Sequence, residues 1–216
     1  MLQFLTNSLL LVEVPKIAFV VILVITSKHY FADSQPSLKK LFYGLIIFYI
    51  AYGATLTALQ YWAWSGAGPT RWFLNQALGE NVPLTFFWRL NPIKDSSFGY
   101  FAFYTWGRFW LNILITILAS LAFQFLLAGL RQFNRRWLTA SDVWLGSIGL
   151  LLSGYPGLIV FFILTFVFVL IYAFIRLILY KKVYTTIGIP MIIAALISIL
   201  WGEELIFSLN LGVFNI

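Results

Sequence analysis

The stretch Leu158–Tyr180 reads LIVFFILTFVFVLIYAFIRLILY, and its single charged residue is Arg176. A helix needs about 20 apolar residues to cross the ~30 Å hydrocarbon core of a bilayer, so this run is a transmembrane helix. It fixes the solvent of the fold, and the rest of the chain is read outward from it. Just before it stands Ser153-Gly154-Tyr155-Pro156-Gly157, a strong turn signal. Ahead of the turn is Val143–Leu152, apolar but short. Beyond the opening stretch, Ile187–Trp201 is a further span, followed by an amphipathic or interfacial tail. Toward the N-terminus lie Phe109–Leu130, Leu41–Ala63 and Ser8–Thr26, the last interrupted by Glu13, Pro15 and Lys16. The expected fold class is all-α: one polytopic membrane helix bundle with about six transmembrane helices.

Composition supports this assignment. Of 216 residues, 62% are hydrophobic and 10% charged, against about 25% charged in soluble domains. Acidic Glu13 and the lack of a small-residue cleavage site argue against reading the first span as a signal peptide. There is no cysteine and one histidine, His29, which excludes disulfides and thiol nucleophiles and makes catalytic zinc a poor fit. No cofactor and no metal is expected. Aromatic residues, at 19%, belong mainly to interfacial belts and lipid-facing surface.

The net charge of +7 serves membrane orientation rather than nucleic-acid binding. Lys28, Lys39 and Lys40 fall in the loop 27–40, Arg131, Arg135 and Arg136 in 131–142, and Arg176, Lys181 and Lys182 around 176–185. With six spans, all three short basic segments lie on one side. Positive residues mark the cytoplasmic side of short loops, so both termini are expected outside, in a bacterial inner membrane. The loop 64–108 is then an extracytoplasmic aromatic insertion, broken by Gly66, Gly68, Pro69, Pro83 and Pro92. Its segments Arg71–Leu78 and Leu84–Leu90 suit short interfacial helices. It offers a surface for lipid or for protein partners.

The acidic residues are Glu13, Asp33, Glu80, Asp95, Asp142, Glu203 and Glu204. Only Asp33 and Asp142 fall on the expected cytoplasmic side, each beside a helix end. Two carboxylates at close range divide into one acid and one base, and such a pair can activate water without metal, histidine or cysteine. The structural alternatives are plain. Ser141 or Asp142 suits a helix N-terminal cap, and Ala32-Asp33-Ser34-Gln35-Pro36 suits a turn. Glu13 and Lys16 share a helix face. Asn112, Ser120 and Gln124 on the third span suit hydrogen bonds between helices.

The C-terminal half, Arg135 to Gly202, resembles the type IV prepilin peptidase family of membrane aspartyl proteases, whose motif is G-x-G-D. Asp142-Val143-Trp144-Leu145-Gly146 looks like the family's segment after that aspartate, and Ile189-Pro190-Met191 like the start of its I-P-(F/Y)-G-P stretch. The order of short helix, turn, long apolar helix and final helix is also similar. Thr139 and Ser141 stand at the motif glycines, Trp144 at the motif lysine, and Ile192-Ile193 where Gly-Pro would follow Met191. The resemblance implies catalytic roles for Asp142 and, by its place at a span end, for Asp33, with a protein leader segment as substrate. The second expectation, from the departures and the aromatic loop, is a non-catalytic membrane subunit that scaffolds a larger complex.

Overall fold

A computed structural model of the protein describes residues 8–66, 68, 70–78, 96–133, 138–180 and 187–209. In chain order its elements are α1 (Ser8–Phe31), α2 (Gln35–Gly66), α3 (Arg71–Leu74), α4 (Gly99–Thr105), a π-helical turn (Trp106–Trp110), α5 (Leu111–Phe133), α6 (Ala140–Ser153), α7 (Gly157–Tyr180) and α8 (Gly188–Ser208). Among the described residues there is no strand, as long apolar runs without period-two alternation imply.

Among the described residues, four stretches are long and apolar enough to cross a membrane: α2, the continuous run Gly99–Phe133, Gly157–Leu179 and α8. The all-helical architecture expected from sequence is therefore observed, with four such helices rather than six meeting this criterion. α6 falls short because its 14 residues rise only about 21 Å. α1 has 24 residues and carries Pro15 within it.

Several helices overrun the expected spans. α1 continues past Thr26 to Phe31, α2 opens at Gln35 instead of Leu41, and the third long helix opens at Gly99 instead of Phe109. Part of the stretch read as loop 64–108 is thus helical. α8 carries the tail beyond Trp201 through Glu203 and Glu204 to Ser208. An apolar window marks only what matches the hydrocarbon core, while the helix itself continues to its cap. Of Arg71–Leu78 only Arg71–Leu74 is helical, and Leu84–Leu90 lies outside the described residues.

The chain divides into two compact units, Met1–Ile46 with Ile115–Ile216, and Ile47–Leu114. The second is organised by aromatic rings. The Trp64 ring lies 4.9 Å from Tyr104, 5.5 Å from Phe101 and 6.0 Å from Phe73, and Arg108 lies over Tyr104 at 5.8 Å. Trp110 donates its indole N–H to Thr57 at 3.1 Å.

In the first unit α8 packs on α7, α6 and α1, and α6 also touches α1 and α7. The short helix is the core. Ser141, Asp142, Val143 and every residue from Leu145 to Leu152 are buried, whereas α7 turns Phe166, Leu170, Phe174 and Ile178 outward. Small residues let the neighbours close in on α6. A Cβ at Gly146 would lie 2.8 Å from Leu127 and 3.0 Å from Phe123, the close approach that helix packing in lipid favours. Ser120 of α5 donates to the Ser147 carbonyl at 2.8 Å, so this expected interhelical bond forms. One turn earlier, Thr116 accepts the N–H of Tyr155 at 2.9 Å. Backbone N–H groups in a turn between packed helices need partners, and the turn after α6 has one.

Candidate functional site

The ends of α1, α6 and α8 meet at one place in the first unit, and both sequence-nominated carboxylates stand there. At α6 the local sequence Thr139-Ala140-Ser141-Asp142 builds a capping box. Thr139, with extended backbone (φ −80°, ψ 166°), is the N-cap. Its hydroxyl accepts the N–H of Asp142 at 3.1 Å. Asp142 returns the bond: Oδ2 accepts the Thr139 N–H at 2.7 Å and the Thr139 hydroxyl at 2.8 Å. The N-cap residue is therefore Thr139, and Asp142, one of the two residues the sequence suggested as a cap, completes the box from three residues inside. Asp142 is wholly buried.

At the other end of the site, α1 closes in a Schellman arrangement. The N–H of Ser34 donates to the His29 carbonyl at 3.0 Å and that of Asp33 to the Tyr30 carbonyl at 3.0 Å. Asp33 takes the left-handed conformation, φ 48°, which Asp tolerates better than most non-glycine residues. The turn expected around Asp33 is thus present, and it presents an exposed carboxylate.

Two hydrogen bonds join these ends across the sequence. The Tyr30 hydroxyl donates to Asp142 Oδ1 at 2.8 Å. The Ser141 hydroxyl donates to Asp33 Oδ1 at 2.5 Å. The third element is α8, whose Gly188 lies against the phenol end of Tyr30. A Cβ there would overlap the ring, so only glycine leaves the phenol room to reach Asp142. Tyr30 lies beyond the apolar span that closes at Thr26. Burial, reinforced by the charges of Asp142 and Asp33, pushes its phenol well above the ordinary tyrosine range. It stays protonated and donates.

The site pairs two unlike carboxylates. Asp142 is buried and held by three donors, while Asp33 is exposed and takes one bond among the described residues. Paired titratable groups in contrasting surroundings suit different roles in acid–base chemistry. Sequence reasoning found both acids but missed Tyr30 and Gly188. Tyr30 stands one turn before Asp33 and was readable as its neighbour, whereas Gly188 gave no signal. Ser141 was noted only as a replaced glycine or a cap, but its hydroxyl is what reaches Asp33. Of the other polar candidates, the Glu13 side chain lies outside the described residues. Among the described residues no group of three or more His, Asp or Glu side chains is placed to hold a metal ion. No family model, no characterised protein and no solved structure matches the chain.

Proposed function

We propose that the protein is a membrane aspartyl protease of the prepilin-peptidase type, with Asp33 and Asp142 as its two carboxylates. The observation that carries this reading is the pair of bonds Tyr30–Asp142 and Ser141–Asp33, which gathers two acids far apart in sequence at one set of helix ends. Exposed Asp33 is the base that takes a proton from water, and buried Asp142 is its polar counterpart. In this reading α1, α2, α5, α7 and α8 cross a bacterial inner membrane, α6 enters it part-way, and the three basic segments face the cytoplasm. The substrate is the leader segment of a membrane-anchored protein, cut at that face.

The test is processing of a co-expressed pilin-like substrate. Asp33→Asn keeps the left-handed turn and an acceptor for Ser141, so it should fold as wild type yet lose cleavage. Cleavage at the wild-type rate would end this reading. A second reading is favoured by one observation: both Asp142 oxygens are already engaged, which suits a structural cap. On that reading the protein is a non-catalytic subunit of a larger membrane complex. It would co-purify with partners, and Asp33→Asn would leave that co-purification intact.

A further inference from the structure

A cavity of about 520 Å³ opens beside α6, lined by Tyr43 of α2, by Gln124, Phe125, Ala128 and Arg131 of α5, and by Trp144 among others. Its volume lies within the range of small-molecule sites. It is separate from the carboxylate site. At about 100° per residue, Ala140 and Trp144, which line it, lie about 160° round α6 from Asp142.

Three features describe what would fit. Arg131 is the only charged residue of the lining, and no acid accompanies it. Among the described residues it has no ion-pair partner. The wall is graded along α5: from Arg131 the lining runs through Ala128, Phe125 and Gln124 to Leu121, about 15 Å of helix rise from a cationic end to an apolar one. Gln124, which the sequence suggested as an interhelical bond, has no hydrogen-bond partner among the described residues, so its amide is available to a ligand.

We propose that this cavity holds one anionic phospholipid, with its phosphate at Arg131, a glycerol ester carbonyl accepting from Gln124, and an acyl chain along Leu121 and Phe125. The charge complements the headgroup, the graded wall matches an amphiphile, and basic clefts between helices on the cytoplasmic side recognise such lipids. Trp144 and Tyr43, whose rings lie 6.2 Å apart, form the aromatic rim expected at headgroup depth.

The experiment uses the full-length protein, delipidated in detergent and titrated with phosphatidylglycerol while bound lipid is counted by native mass spectrometry. One phosphatidylglycerol should bind saturably, phosphatidylcholine should bind about tenfold more weakly or worse, and Arg131→Gln should lose a similar factor while Arg131→Lys retains most of the affinity. Ala128→Phe should block binding by filling the cavity with the charge unchanged, which keeps the test valid if Arg131→Gln folds poorly. Equal binding by Arg131→Gln and wild type, or equal affinity for the two lipids, would overturn the proposal. So would competition by inorganic phosphate alone, which would make this a free-anion site. Displacement of the lipid by an acidic peptide at lower concentration would assign the cavity to a protein partner and overturn it as well.

Discussion

Tyr30 and Gly188 depend on each other, since the phenol reaches Asp142 only because α8 offers no side chain where the ring lies. Gly188→Ala should swing the ring aside and break the bond. A hydrogen bond to a charged partner is worth about 1.5–3 kcal/mol, so the variant should lower the apparent melting temperature about as much as Tyr30→Phe. The double variant should cost little more than either alone, because both remove one interaction. The pH sign follows from the raised phenol. Its stabilisation is complete below the ordinary tyrosine value of about 10 and is lost only at higher pH. The gap between wild type and Tyr30→Phe should therefore be the same at pH 7 and pH 9 in thermal melts. A gap that closes by pH 9 would contradict this placement of Tyr30. Asp33 and Asp142 stood out in the sequence because acids are scarce and each stands beside a helix end. Their partners were not, since Tyr30 and Gly188 are ordinary in so aromatic and apolar a chain, and their meeting is a product of tertiary packing.

At the scale of elements, α6 separates what patterning can and cannot reveal. Its shortness was readable from Ser153-Gly154-Tyr155-Pro156-Gly157. Its burial on nearly every side was not, because a uniformly apolar helix shows no stripe to distinguish core from lipid. Several long helices overran their expected spans for the related reason that polar residues such as Ser27, Lys28 and His29 continue a helix beyond its apolar stretch. In the turn after α6 the Thr116 hydroxyl accepts the Tyr155 N–H. Thr116→Val, nearly isosteric, should remove that acceptor and destabilise the protein by about 0.5–1.5 kcal/mol, whereas Thr116→Ser should be close to wild type. Thermal unfolding in detergent checks both. Equal stability of the Val and Ser variants would mean that another group serves the Tyr155 N–H.

At the scale of the molecule, the two units draw on different physics. The unit Ile47–Leu114 gathers stacked and edge-on rings around Trp64, while the other closes small residues of α6 against its neighbours. The sequence reads as one membrane domain with an aromatic insertion at 64–108, narrower than the unit Ile47–Leu114, because composition marks where the rings are dense and not where packing divides the chain.

The brevity and burial of α6 also bear on how the chain is made. Translocation machinery admits a segment according to its own apolar length, and an acid within it counts against entry. With 14 residues and Asp142 in its first turn, α6 is a weak signal by itself. The strongly apolar α7 follows it almost at once, so the two should enter as one hairpin, with α6 retained until α7 has emerged from the ribosome. In a glycosylation-mapped insertion reporter, residues 138–156 alone should fail to integrate, and residues 138–180 should integrate efficiently. Efficient integration of the short segment by itself would refute this order of assembly. If the order holds, the acid-bearing end of α6 reaches its place late in biogenesis, and a ribosome stalled before α7 would yield a chain in which Asp142 has not yet met Tyr30.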